Sequence, residues 1–251
     1  MADADVYSIR RTAAVEGELE AVNGKESMRI LLIASPTGEQ VGIPFTTEQF
    51  FGVFEKYNQA IFPMQFVLIL VAIASVVLVV SRKPFANKTI SGLLGFLWLW
   101  AGVVYHLTFF TEISPPAYLF GALFVFQGWL FLYEGIVRNR LSFCANQKIY
   151  GILGAILIVY SLAIYPLIGY ALGRIFPTSP TFGVPCSTTI FTFGLLLWTD
   201  KKVPSILLII PILWSIVGTS AALSFGIKED FGLFVAGTLG TAYIIWRDLT
   251  P

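Results

Sequence analysis

Seven long apolar blocks, separated by short polar loops, occupy nearly all of the chain after Pro63. A bilayer core about 30 Å thick requires about 20 apolar residues in a helix that rises about 1.5 Å per residue. Only 12% of the residues are charged, and the mean hydropathy is +0.78. Lipid is therefore the expected solvent of this region. The seven blocks are Pro63 to Ser81, Ile90 to Phe110, Pro115 to Val137, Ile149 to Tyr170, Thr181 to Thr199, Pro204 to Phe225 and Phe231 to Trp246.

The length of the blocks also restricts their secondary structure. In lipid, every backbone amide must find its partner within the protein, which leaves only helices and closed barrels. Barrel strands alternate apolar and polar residues, whereas these blocks are continuously apolar. The sequence predicts an all-α fold, a seven-span transmembrane helical bundle over residues 63–251, with kinks at the internal Pro166 and Pro211.

Basic residues divide the loops between two sides. Cytoplasmic loops of membrane proteins carry the excess of Lys and Arg. Five basic residues precede the first block and weakly favour the opposite orientation, namely Arg10, Arg11, Lys25, Arg29 and Lys56. Of the others, two, Arg174 and Lys228, fall on one side of the predicted bundle, and nine fall on the other. This asymmetry predicts a multi-pass protein of the cell (inner) membrane, with its N-terminus outside and its C-terminus in the cytoplasm. The nine are Arg82, Lys83, Lys88, Arg138, Arg140, Lys148, Lys201, Lys202 and Arg247.

The first 43 residues differ from the rest of the chain. They are polar and mixed in charge, and they lack a sustained apolar period. This composition predicts a disordered N-terminal extension. The alternative is that translation begins at Met28 or nearby. The apolar run Ile30 to Ala34 is far shorter than the core of a secretory signal.

Residues 44–62 have the pattern of a short amphipathic helix. Thr46 with Gln49 three residues later makes a capping box, and Phe45 before the cap can pack on Phe50 as a hydrophobic staple. The helix is expected to lie flat at the outer interface before Pro63 turns the chain into the membrane. Its apolar face is formed by Phe50, Phe54, Tyr57 and Ile61.

Three stretches carry a resemblance to a known family. They are Pro44 to Asn58, with the sequence PFTTEQFFGVFEKYN, Trp98 to Tyr133, which contains GVVYH and AYLFGA, and Pro185 to Thr192, with the sequence PCSTTIFT. Together they resemble an uncharacterised bacterial family of multi-pass integral membrane proteins, known only as a domain of unknown function. The likeness runs from about Pro44 to the C-terminus. It implies relatives without implying an activity.

Ionisable side chains are costly at membrane depth and usually mark a functional path. The seven blocks contain only His106 and Glu134, too few for a typical proton or ion relay, and the last block lacks the lysine of a retinal protein. His106, with Tyr105 beside it and Glu112 just beyond, is a metal ligand, pH sensor or acid/base residue in one interpretation. In the other it is an interfacial histidine that forms a hydrogen bond with a neighbouring helix or a lipid headgroup. Glu134 is either functional or paired with Arg138 at i+4.

A polar patch opens the fifth block. The hydroxyls that follow Cys186, including those of Thr188 and Thr189, satisfy carbonyls freed by Pro185, bond across helices, or line a substrate cavity with Gln127. The second cysteine, Cys144, lies in a loop on the opposite side of the membrane. The two cysteines are thus too far apart to form a disulfide.

Small residues repeat along two of the blocks. Gly121, Gly128 and Gly135 recur every seven residues in the third block, and Gly232, Ala236 and Gly240 recur every four in the seventh. Ridges of this kind let helices approach closely. They predict tight packing within the bundle, or contact with a second copy or a partner membrane protein.

Three classes of function remain open. A non-catalytic membrane module, acting as a scaffold, accessory subunit or lipid-interacting protein, fits every feature. The alternatives are a carrier or channel for a small neutral or apolar solute, and an outer-face enzyme that uses His106 and Glu112. The sequence contains no glycine-rich phosphate loop, metalloprotease motif, nucleophile elbow or basic nucleic-acid patch. We therefore expect membrane lipid as a partner, and no cofactor, metal or nucleic acid.

Overall fold

A computed structural model of the protein describes residues 45–145 and 148–250. Within these residues the fold is all-α, as predicted, with two isolated bridges in place of any strand. The predicted disordered extension, residues 1–43, lies outside the described residues. The helices are α1 Thr47–Ile61, α2 Met64–Ser81, α3 Ala86–Glu112, α4 Ala117–Val137, α5 Ile149–Ala171, α6 Pro185–Leu197, α7 Ile206–Phe225 and α8, residues 231–249.

Five of these helices are long and apolar enough to cross a membrane, namely α2, α3, α4, α5 and α7. The block Thr181 to Thr199 contains a helix of only 13 residues, α6. It begins at Pro185, a residue favoured in the first turn of a helix, and it ends at Leu197. The last helix, α8, ends in a turn that contains Arg247 and Asp248, which lowers its apolar character. The structure thus shows an all-helical protein with five helices of membrane-spanning character.

The short helix α6 lies at the centre of the bundle. Helices α3, α5, α7 and α8 all contact it, and every residue except Cys186 is buried. Gly194 of α6 and Gly154 of α5 sit at their crossing, where a Cβ on Gly194 would meet the Gly154 carbonyl oxygen at 3.0 Å. Glycine is therefore required there for close packing.

Both predicted ridges of small residues pack inside the bundle. On α4, Gly128 faces Gly95 of α3 so closely that a Cβ at position 128 would lie 2.9 Å from the Gly95 carbonyl oxygen. On α8, Gly232 meets the Tyr160 ring, and a Cβ at Gly240 would lie 3.2 Å from the Phe193 ring. These ridges set the spacing between helices of one chain. Contact with a second copy or a partner protein stays a prediction.

The loops collect at two ends of the bundle. At the basic end, defined by residues 138–145, 198–205 and 247–250, the Cys144 amide donates to the Trp198 carbonyl at 2.6 Å. At the same end the Val203 amide donates to the Asp248 carboxylate at 2.8 Å. The opposite end, the α1 end, contains α1, residues 172–184 and the turn Lys228–Asp230. The successive loops from α4 onward therefore lie alternately at the basic end and at the α1 end.

Helix α1 begins as the sequence predicts. Thr46 and Gln49 form the capping box, with bonds of 2.8 and 3.2 Å, and the Phe45 and Phe50 rings stack at 6.0 Å. The helix is also docked by buried polar groups. The Asn58 side-chain amide donates to the carbonyls of Pro177 and Ser179, both at 2.7 Å. Helix α1 is therefore anchored to the bundle by directional bonds as well as apolar contacts.

Candidate functional site

Two buried carboxylic acids lie at the α1 end. Helix α7 ends at Gly226, whose left-handed backbone (φ 66°) reverses the chain. The short turn Lys228–Asp230 follows and leads into α8. Glu229 is fully buried and Asp230 is 4% exposed. Buried carboxylates require partners, and each of these has found a different set.

Glu229 is held by Arg174 from the segment between α5 and α6. The guanidinium makes a two-pronged contact, with Nε donating to Oε1 at 3.1 Å and Nη2 contacting Oε2. The Tyr160 hydroxyl donates to the Glu229 carbonyl at 2.7 Å. A paired buried charge of this kind is costly to break, because the remaining partner would be left without compensation. The turn is therefore held at its side chain by Arg174, beyond the end of α5, and at its backbone by Tyr160 of α5.

Asp230 has weaker compensation. The Tyr165 hydroxyl donates to its Oδ1 at 2.6 Å, and the Cys186 thiol lies within hydrogen-bonding reach of the carboxyl. Burial nevertheless raises the pKa of Asp230 to about 7, and the nearby Glu229 charge acts in the same direction. Because this pKa lies near neutrality, Asp230 is a group that can change its charge under physiological conditions.

An apolar groove runs between the last turns of α7 and the start of α8, beside this acid. It has a volume of about 660 Å³, within the range of roughly 300–1,000 Å³ typical of small-molecule sites. Asp230 and Thr219 contribute its buried polar groups, and Lys228 stands at its mouth. The apolar wall consists of Ala222, Leu223, Gly226, Ile227, Phe231 and Phe234.

His106 is enclosed by aromatic rings. Its imidazole is fully buried, and the nearest ring centroids are those of Phe124 at 4.7 Å and Trp214 at 5.0 Å. Neither imidazole nitrogen has a hydrogen-bond partner among the described residues. Phe124 and Trp214 also line a smaller apolar cavity of about 200 Å³ between α4 and α7. Within the described residues, His106 therefore does not form the predicted hydrogen bond with a neighbouring helix.

The other members of the predicted His106 site lie nearby with partners of their own. Glu112 forms an ion pair with Lys56 of α1 at 2.5 Å, on the surface. Tyr105 is buried, and its ring contacts His106 at 5.4 Å and Tyr57 at 5.4 Å. The carboxylate and the imidazole are thus not joined in an acid/base pair in this structure.

Hydroxyls of the polar patch contact backbone carbonyls of α6 itself. The Thr189 hydroxyl donates to the Pro185 carbonyl at 2.8 Å, whereas the Thr188 hydroxyl has no partner among the described residues. Gln127 donates to the Leu207 carbonyl of α7 at 3.0 Å. Neither Gln127 nor Cys186 lines the groove or the smaller cavity.

Glu134 lies at the basic end, where its predicted pairing with Arg138 is confirmed at 3.7 Å. A second ion pair joins it to Arg140 at 3.2 Å. Both cysteines are free. Among residues 45–145 and 148–250, no group of three or more His, Cys, Asp or Glu side chains comes together in a way that could hold a metal ion.

The sequence interpretation missed the acids of the turn. Glu229 and Asp230 are not among the candidate residues that the sequence indicates, because they fall between two apolar blocks. A signal was nevertheless present. The polar loop between Phe225 and Phe231 is only five residues long, so its charges lie close to the bundle. Arg174, on a loop predicted to share that side, was an available partner.

Comparison with known proteins gives one match. A model of a family of unknown function, DUF6064, matches residues 47–251. This match agrees with the resemblance seen in the three sequence stretches. No curated protein and no solved structure matches the chain.

Proposed function

The chain belongs to this family of unknown function, and from that premise we propose that it is a non-catalytic multi-pass membrane protein that binds a membrane amphiphile in the groove between α7 and α8. The observation that carries the proposal is the groove itself. It combines an apolar wall with a buried carboxyl and a cationic mouth. This combination fits a molecule with both an apolar chain and a polar head.

The exposure of the groove residues supports a ligand that enters from the bilayer. Leu223 is 80% exposed and Phe231 is 65% exposed. In a helix bundle that crosses a membrane, such side chains face lipid. The groove lies at the α1 end rather than at mid-bundle, which fits a headgroup near the interface and a chain in the hydrocarbon.

We further propose that α6 and α8 also cross, giving seven spans. At 1.5 Å per residue the 13 residues of α6 cover about 20 Å, less than the hydrocarbon core. A helix buried within protein tolerates this, since irregular backbone at membrane depth is acceptable where other helices cover it. The alternation of the loops between the two ends supports the same arrangement.

The proposed location is the cell (inner) membrane, with the α1 end outside and the basic end in the cytoplasm. The distribution of Lys and Arg supports this orientation, because nine basic residues lie in the loops or helix ends of the basic side, whereas the loops of the α1 end carry two, Arg174 and Lys228, and α1 adds Lys56. The N-terminus is outside and the C-terminus cytoplasmic in this arrangement.

The geometry gives less support to the two alternatives. An outer-face enzyme would need His106 and Glu112 to act together, yet Glu112 bonds Lys56 and the imidazole is enclosed by rings. A carrier would need a path through the bundle, whereas the groove is bounded by the last turns of one helix and the first of another.

Native mass spectrometry of protein released from nanodiscs tests the proposal. The wild type should retain lipid at fixed stoichiometry. Ala222→Phe places a ring in the groove wall and should abolish that retention. Ala221→Phe, one position earlier on α7 and outside the groove lining, is the matched control. Equal lipid retention by two folded variants, established by thermal melts, would rule out the groove as the binding site.

A further inference from the structure

We propose that the groove selects a zwitterionic phospholipid whose headgroup ends in a primary ammonium, the phosphoethanolamine type. This inference rests on the proposed function, since it names the class of amphiphile that the groove takes. The ammonium pairs with Asp230, the phosphate pairs with Lys228, and the acyl chain lies against the apolar wall. Its basis is the order of charges along the turn between α7 and α8.

Opposite charges stand two residues apart on that turn. Lys228 is exposed at the mouth of the groove, and Asp230 is buried in its wall. None of the ion pairs within the described residues uses Lys228. A headgroup in which a short linker joins a phosphate to an ammonium matches this order. Its phosphate pairs with Lys228 at the mouth, and its ammonium reaches the buried carboxyl of Asp230.

Asp230 retains room to accept further hydrogen bonds. An ionised carboxylate has about four acceptor sites. In this structure Tyr165 donates to one of them, and Cys186 lies within reach of another. A primary ammonium supplies three N–H donors, whereas a trimethylammonium supplies none. Since the carboxyl is buried, a donor that replaces water is strongly favoured there. The site should therefore prefer phosphoethanolamine to phosphocholine.

Thr219 completes the recognition. The residue lines the groove, and its hydroxyl oxygen is buried without a hydrogen-bond partner among the described residues. A hydroxyl in that state is available to donate to an ester carbonyl of a lipid. Leu223, Phe231 and Phe234 then cover the chain on the apolar side. The polar contacts and the apolar wall together fit one lipid molecule.

Competition between lipids of identical acyl chains tests this inference. Wild-type protein in detergent is mixed with equal amounts of phosphatidylethanolamine, phosphatidylcholine and phosphatidylglycerol, and the bound species are counted by native mass spectrometry. A hydrogen bond to a charged group predicts a preference of about tenfold for phosphatidylethanolamine over phosphatidylcholine. Stepwise N-methylation of the headgroup should remove this preference gradually. That series requires no variant of the protein.

Two substitutions separate the contacts. Asp230→Asn should reduce the preference for the ammonium headgroup over its trimethylated form to near unity, with Glu112→Gln at the same end as control. Lys228→Gln should weaken phosphatidylethanolamine and phosphatidylglycerol together, with Lys202→Gln at the basic end as control.

The outcomes distinguish the two proposals. In one outcome, Ala222→Phe abolishes lipid retention, but the wild type binds all three headgroups equally. That result overturns the inference and leaves the proposed function intact. Lipid that is unaffected by Ala222→Phe overturns both. Selection for phosphatidylglycerol would show that Lys228 acts without Asp230, and it would equally overturn the inference.

Discussion

At the scale of single residues, burial without a partner is the property that stands out. His106 and Asp230 are both enclosed, yet the imidazole has no hydrogen-bond partner among the described residues and the carboxyl is only partly compensated. An unpaired buried polar group costs about 1–3 kcal/mol. The sequence indicated that His106 was unusual, but the aromatic rings around it come from helices far apart in the chain and could not be assigned.

His106→Phe should leave the stability of the protein within about 1 kcal/mol of wild type, because the unpaired nitrogens disappear while the ring gains volume. His106→Ala should cost about 2–4 kcal/mol through the cavity that it leaves. Thermal unfolding in detergent measures both. A large loss for His106→Phe, similar to that for His106→Ala, would mean that the imidazole nitrogens make a bond that stabilises the fold.

The pH dependence of stability should report Asp230. Its folded pKa of about 7 exceeds the ordinary value of 3.8, so the folded state holds the proton more tightly than the unfolded state does. The stability that it contributes is full below about pH 4 and is lost as the pH rises towards 7. The groups around this carboxyl are Tyr105, Tyr165, Arg174, Cys186 and Glu229.

Asp230→Asn isolates this contribution. The melting temperature of the variant should fall less than that of wild type between pH 4 and 7, because the amide does not titrate. The difference between the two curves removes the shared contribution of the surrounding groups. Parallel curves would show that the carboxyl titrates normally in the folded protein.

At the scale of helices, glycine contacts set the distance between packed helices. The sequence pattern predicts that such contacts exist, but not which helices make them. The repeat of Gly121, Gly128 and Gly135 predicted a close approach, and the structure identifies α3 as the neighbour. The pattern could not name that neighbour, because small residues occur on several helices. The capping box of α1 was predictable in full, since all its atoms belong to four successive residues.

Gly128→Ala should destabilise the protein by about 1–3 kcal/mol, because the added methyl group would press on the Gly95 carbonyl and force α3 and α4 apart. Gly92→Ala on α3 is the matched control. Its Cβ would find its nearest neighbour, an Ile136 methyl, at an ordinary 3.7 Å. The control should be neutral or slightly stabilising through helix propensity. Equal thermal stability of the two variants would contradict the proposed tight crossing.

At the scale of the whole molecule, hydropathy predicted the helical class and located the five long apolar helices. It could not tell how far α6 extends, since Thr181 to Thr199 contains no charged residue while only residues 185–197 are helical. Nor could it detect the groove. That feature depends on the position of the turn after Gly226 relative to α8, a relation that hydropathy does not encode.

Cysteine accessibility tests the proposed topology. In a background of Cys144→Ser and Cys186→Ser, single cysteines replace Ile175, an exposed residue between α5 and α6, or Lys201, between α6 and α7. A membrane-impermeant maleimide should label the first in intact cells and the second only after permeabilisation. Labelling of both from the same side would mean that α6 does not cross.

The burial of α6 also bears on how the protein is made. All of its residues except Cys186 are covered by other helices, and two of those helices, α7 and α8, are synthesised after it. Until they arrive, the surface of α6 that packs against α7 and α8 is uncovered. Helix α6 therefore cannot reach its final environment as an independent insertion unit. Its integration must be completed after synthesis of the C-terminal pair, so a ribosome stalled before α8 would leave a bundle with an open centre.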